Sequence, residues 1–315
     1  MSAVALATVV VAHGGVKLGK VKLKAGQRVR LTVRSEAENG RLETRGPDGN
    51  SAAVMKVLRE RDIVWTMMNR AADGSPRVMV RIPKFVTIST LIVNGVPDVR
   101  TVASPLTGKL VEATRKPDGT WTFLSDGSPI GEMAKEETSE LAAYQSSQWF
   151  PDRMVEVGES WEFEPKWIKL VLQRDLRDAL VVGTMTLREV RRTMASQTAV
   201  VNMIIRSSGS KTDKEFRETT ATVDLKGQAV IDLKTMLYES LELVGTFRSQ
   251  VSDGAKRTIV TLPLTMAARQ QLVGGGDSGP TISGSVEDDP GLPPLPPVVP
   301  PGDAPLPPPP APGLE

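Results

Sequence analysis

Asp152, Glu156, Glu159 and Glu164 bring four carboxylates into one short stretch. A pair of carboxylates across a cleft is the machinery of glycoside hydrolysis, one as acid and the other as base or nucleophile. That chemistry also needs a cleft with aromatic rings to stack on a sugar, and aromatics are only 4% of the chain. The strand spacing of the acids makes them solvated edge charges. His13 is the only histidine and there is no cysteine. Ser-His-Asp catalysis, multi-histidine metal sites, thiolate metal sites, cysteine nucleophiles and disulfides are therefore excluded. The string GGGDSG at 274–279 lacks the Lys-Ser/Thr pair and the strand-loop-helix setting of a phosphate loop. The basic residues are interleaved with acids and lack the accompanying aromatics of a nucleic-acid surface. The expectation is a protein that is not an enzyme, with no cofactor, no metal and no nucleic-acid partner.

The residue types that remain suit apolar binding. Met67, Met68, Met79, Met185 and Met203 fall in strand-like runs beside Val, Ile and Leu. Flexible thioethers suit a core gap, and equally a surface that adapts to varied apolar ligands.

The stretch that positions everything else is FPDRMVEVGESWEFEP, from Phe150 to Pro165. Pro151 fixes its own φ and pushes Phe150 out of the helical region, so a helix before it must stop. Gly158 permits a tight turn, after which Trp161, Phe163 and Trp167 alternate with Glu162 and Glu164. Pro151, Gly158 and Trp161 are therefore read as a structural joint, an aromatic corner pinning two halves of a core.

On either side of the joint the chain reads as β structure. Val29, Leu31 and Val33 alternate with Arg28, Arg30, Thr32 and Arg34, the pattern of a half-buried strand. Asn39-Gly40, the GPDGN run, Ala72-Asp73-Gly74-Ser75 and Asn94-Gly95 supply turn chemistry. Val54–Met68 is ambiguous between helix and strand, though Ile63-Val64-Trp65-Thr66 and the turn after it favour a hairpin with Arg77–Ile82, and Pro83 and Pro97 suggest edge or rim positions. Glu132–Trp149 carries the helical composition, with Met133, Leu141, Tyr144 and Trp149 spaced near three or four. One amphipathic covering helix is expected there. Beyond the joint, Leu180–Arg191, Thr198–Ser207, Thr219–Leu225, Ala229–Leu233, Tyr238–Val251 and Arg257–Met266 alternate with one face wet, which reads as an antiparallel meander with a turn at Gly227.

The halves echo each other. Leu58-Arg59-Glu60 recurs as Leu187-Arg188-Glu189, and LTGKLVE from Leu106 recurs as LKGQAVID from Leu225 with one residue added. Such order suggests a duplication giving two related layers or half-barrels. The fold expected is mainly β: a two-repeat curved antiparallel sheet or open half-barrel with one covering helix and a disordered Pro-rich C-terminal tail. Its parts are 1–19, a possible partial signal segment, 20–149, a first β-rich half ending in a helix, 150–273, a second β-rich half, and 274–315, the tail.

VEVGESW at Val155–Trp161, after Phe150-Pro151-Asp152, resembles the V-x-V-G-[DE]-S-W joint of an uncharacterised class of bacterial exported proteins and lipoproteins. The resemblance spans roughly residues 20 to 266. That class looks like a duplicated relative of LolA-type lipoprotein carriers, whose curved antiparallel sheet wraps a helix over an apolar cavity. The motifs are structural, so the resemblance implies a fold and an apolar ligand but carries over no catalytic residue. With no cysteine there is no lipobox, and the lipid anchor of many members is not implied.

Residues 1–14, MSAVALATVVVAHG, resemble the apolar core and cleavage end of a signal peptide without its basic beginning, and read equally as a first strand. The location implied is exported, in the periplasm or cell envelope, or cytoplasmic if that segment is no signal remnant. No run is long enough for a transmembrane helix. All 39 Lys and Arg precede Gly274, whereas six of the 37 acids follow it, with 14 of the 24 prolines. Such a tail cannot bury a core and reads as extended polyproline spacer.

The functional expectation is binding of a lipid or other apolar small molecule in a concave β face. Val29, Val80, Val201, Leu241 and Leu262 are its candidate residues, in a cavity of Val, Ile, Leu and Met nearly free of charge. The alternative is a structural or adaptor protein whose Pro-rich tail contacts a protein partner or spans the envelope.

Overall fold

Strict alternation of buried and exposed residues over unusually long runs dictates the architecture. Strands of five or six residues are the norm, yet β3 (Arg28–Gly46) and β4 (Gly49–Met67) each run for 19. The computed structural model describes residues 10–12, 15–19, 21, 23–47, 49–116, 121–131, 134, 149–163, 180–194, 196–212 and 217–273. The chain divides into two units, Met1–Ser278 and Gly279–Glu315. The expected tail from 274 lies outside the described residues. So does the expected helix over Glu132–Trp149, except for Ala134 and Trp149, and Trp167 of the joint lies outside as well.

The first unit begins with the short strands β1 (Val10–Ala12) and β2 (Val16–Lys17), and after β3 and β4 come β5 (Arg77–Val93), β6 (Val96–Ala103), β7 (Leu110–Arg115), β8 (Trp121–Ser125) and β9 (Ser128–Pro129). The joint contributes β10 (Met154–Val155) and β11 (Ser160–Phe163). A second set of long strands follows: β12 (Leu180–Arg192), β13 (Gln197–Thr212), β14 (Glu218–Asp232), β15 (Tyr238–Asp253) and β16 (Lys256–Leu272). The protein is mainly β, and its antiparallel sheet of 14 strands is not closed. Its order is β1-β12-β13-β14-β15-β16-β3-β4-β5-β7-β8-β9, with β11 also on β12 and β6 also on β5. β10 and β2 form a separate pair.

Both halves are meanders, and β16 on β3 welds them into one sheet. Each outer long strand shares its free edge between two short ones. β5 takes β7 along Arg77–Arg81 and β6 along Val86–Val93, whereas β12 takes β11 along Gly183–Thr186 and β1 along Val190–Arg192. Pro83 falls in the gap between the two partners of β5, beside the register shift between Asp62 and Val64 on β4. A proline there forfeits no ladder bond, which is why β5 passes through it unbroken.

Of Val54–Met68, residues 54–67 are strand paired with β5, as the hairpin reading expected, because the inner positions Val57, Arg59, Arg61 and Ile63 follow a period of two. Two expectations are corrected. Asn39-Gly40 is not a turn: it lies within β3, at the register shift between Ala37 and Gly40. Gly227 is not a turn: β14 runs straight through it, opposite Leu243. A Cβ on Gly227 would run into the Glu242 carbonyl, and one on Gly245 into the Asp224 carbonyl. Only glycine admits so close an approach of neighbouring backbones, and such glycines bend a sheet. The second sequence echo also loses its structural meaning, since Leu106–Lys109 is a turn whereas Leu225–Asp232 is continuous strand.

The core sits at one end of the long strands. There Leu31, Ile63, Ile82, Leu187, Val201, Ile231 and Leu241 cluster with Leu18, Leu106, Trp149, Val155 and Trp161 from outside the long strands and with Tyr238 at the start of β15. At the other end lie the connections β3–β4, β5–β6, β13–β14 and β15–β16. Toward those tips burial fades, and all eight residues of β6 are exposed.

Candidate functional site

The joint is a built structural corner. Gly158 adopts φ +92° and donates its N–H to the Leu187 carbonyl at 2.8 Å, while the Leu187 N–H returns to the Glu159 carbonyl at 3.0 Å. The Arg153 N–H closes onto the Pro151 carbonyl at 2.9 Å. Trp161 is buried opposite Met185, and its indole N–H donates to the Trp149 carbonyl at 2.9 Å. Trp149 in turn stacks on Tyr238 at 6.0 Å and tilts against Phe163 at 5.9 Å. Glu159 accepts from the Glu156 N–H and pairs with Arg153, which together hold its carboxyl below the ordinary carboxylate range.

The rows of the sheet show where the candidate ligand residues go. Val29, Trp65, Val80 and Val111 lie side by side across four strands near the core end. Leu187, Val201, Ala229, Leu241, Ala268, Val33, Arg61 and Phe85 form a second row. Val29, Val80, Val201 and Leu241 are fully or almost fully buried. They are packed core. Leu262 alone among the five candidates lines a hollow.

That hollow opens farther along the same inner face. It measures about 200 Å³ and is walled by β3 (Val33, Ser35, Ala37), β4 (Val57, Arg59, Arg61), β16 (Leu262, Leu264, Met266), Phe247 of β15 and Leu225 of β14. Two backbone irregularities make room for it. Gly245 stands in the row between Leu225 and Leu264 and offers no side chain. The β16–β3 ladder shifts register between Thr261 and Thr265, the span that holds Leu262 and Leu264. In a flat sheet β14 and β4, four strands apart, would be separated by about 19 Å. That both line one small hollow shows how strongly the sheet curves.

The lining is mostly aliphatic, yet the expectation of a nearly charge-free wall is corrected by β4. Arg61 is 4% exposed, and its guanidinium carbon lies 4.3 Å from the centroid of the Phe85 ring, a cation–π contact. Arg59 donates from Nε to the Thr87 hydroxyl at 3.3 Å. Glu36 also borders the hollow, but it falls between Ser35 and Ala37 in the alternation, which assigns its side chain to the outer face. There Arg34 hydrogen-bonds its carboxylate and holds it below the usual range.

Asp152, Glu156 and Glu162 are exposed, and Glu159 is bound up in the joint. Among the described residues no group of three or more Asp, Glu, His or Cys could hold a metal ion, and no helix is long and apolar enough to cross a membrane.

Sequence reasoning missed the two arginines and the two strand glycines. The arginines carried a signal as cations in the apolar phase of a strand and Gly245 as a glycine inside the run Leu243-Val244-Gly245-Thr246-Phe247, whereas Gly227 lies between Lys226 and Gln228.

No protein-family model and no curated protein matches this sequence. A crystal structure of the binding domain of botulinum neurotoxin serotype C1 aligns with 75% of this chain and 79% of its own, at 8% identity and a TM-score of 0.13. A score so low carries no argument about fold or function.

Proposed function

We propose that this is an exported, non-catalytic binding protein that holds a lipid or other apolar small molecule in the hollow between β3, β4, β14, β15 and β16. One observation carries the reading: a mostly apolar cavity of about 200 Å³ on the inner face of a curved sheet. A dry cavity of about 150 Å³ lined by Leu, Ile and Phe takes up benzene, so this hollow is large enough for a short apolar ligand or one segment of an acyl chain. Enclosed aliphatic surface stabilises such a guest by about 25 cal/mol per Å² removed from water. The earlier resemblance to exported carriers agrees with this reading and supplies the proposed location.

The test is binding of a neutral fluorescent naphthylamine to the full chain, competed by dodecanol, for wild type and for Leu264→Trp. Leu264 is half-buried on the cavity wall, so an indole there fills the space without disturbing the core. Saturable binding to wild type and its loss in the variant, with unchanged circular dichroism, are the expected results. Wild type that takes up no dye would instead favour the structural reading, in which the sheet only folds.

A further inference from the structure

The inner phase of β4 reads Val57, Arg59, Arg61, Ile63. Two cations thus stand in consecutive positions of an apolar face, on one wall of the hollow. Both have partners within the chain, yet a surface that needed only to be sealed would carry aliphatic residues there. We propose that the hollow is selective for a single-chain carboxylate, with the head at Arg59 and Arg61 and the chain lying along Leu225, Phe247 and Leu264. This rests on the reading of the hollow as a ligand site.

The geometry supplies both ends of such a ligand. The wall from β14 to β16 is formed by Leu225, Phe247, Leu262, Leu264 and Met266 and holds no ionisable side chain. The β4 wall holds both guanidiniums. Each is oriented by the strand beside it, Arg61 by the Phe85 ring and Arg59 by the Thr87 hydroxyl. A guanidinium carries five N–H donors in a planar fork, enough for partners within the chain and a ligand oxygen together. That fork matches a carboxylate through two parallel hydrogen bonds, and the match is stronger than any neutral head would make. Glu36, the acid nearest the hollow in β3, is engaged by Arg34 on the outer face.

The experiment titrates the full chain with dodecanoate, dodecanol and dodecylamine, which share one chain length and differ in head charge. Dodecanoate is expected to bind about tenfold or more tightly than dodecanol, the worth of a charge-assisted hydrogen bond, and dodecylamine more weakly than either. Arg59→Gln should bring the ratio of dodecanoate to dodecanol affinity close to one, and Arg59→Lys should retain part of the preference. Circular dichroism is the control that each variant folds. Without any variant, the preference of wild type for dodecanoate should disappear as acid protonates the ligand. Equal affinities for dodecanoate and dodecanol, or tighter dodecylamine binding, overturn the carboxylate proposal and leave the ligand site standing. Failure of both dodecanoate and dodecanol to bind overturns the two together.

Discussion

The two ends of the long strands put the same alternating pattern to different uses. At the core end each inner residue meets a second layer, as Val201 and Leu241 meet the caps around Trp149 and Tyr238. Near the line marked by Gly227 and Gly245, Val57, Arg59, Leu262 and Leu264 border a hollow instead. Alternation makes a sheet with one apolar face, but what covers that face is decided by the connecting segments. Those that join the core gather at one end, so the core and the hollow are separated along the strand axis.

The contrast is broken most forcefully at the joint. Trp161 is buried and bonded to the Trp149 carbonyl, so Trp161→Ala should cost about 3–5 kcal/mol, read from the denaturant midpoint. A loss below about 1 kcal/mol would remove the joint from the core. Gly227→Val comes next. Its side chain must displace the β15 backbone at Glu242, at a cost of about 1–3 kcal/mol. The variant should also lose naphthylamine binding, since the bend that shapes the hollow is relaxed. Retained stability together with retained binding would show that the bend does not depend on this glycine.

At the tips the effects should nearly vanish. Val99 on β6 is 59% exposed, and Val99→Ala should change stability by no more than about 0.5 kcal/mol. A larger loss would mean that β6 is covered in solution. Smallest of all is a pH effect at the joint. The Glu159 carboxyl is held below its ordinary range by the Glu156 N–H first and by Arg153 second. A carboxyl lowered in the folded state adds stability that is fully present above its unfolded pKa and is lost as pH falls through the folded value. Glu159→Gln should therefore melt slightly below wild type near neutral pH, with the gap closing in acid. A gap that stays constant with pH would assign the effect to packing.

Much of this was legible before any coordinates. Val29, Leu31 and Val33 alternate cleanly, and Trp161 and Phe163 declare a strand after the Gly158 turn, because each obeys a local rule. Gly227 was misread for an equally local reason: glycine between polar residues is turn chemistry until a neighbouring strand is known to press on it. Arg59 and Arg61 went unnoticed because Val54–Met68 has enough apolar residues to suit either a helix or a strand, and only pairing with β3 and β5 fixes the phase. The hollow was least legible. It depends on Leu225 and Val57 facing one space, and they are 168 positions apart in the chain. The sheet curvature that joins them is a property of no single segment.

Amide hydrogen exchange of the full chain with and without dodecanol tests the separation of binding from stability most directly. Added protection is expected along Val33–Ala37, Val57–Arg61 and Leu262–Met266 and around Phe247, with Trp149 and Ser160–Phe163 unchanged. Protection gained at the joint alone, or no gain along the walls of the hollow, would contradict it.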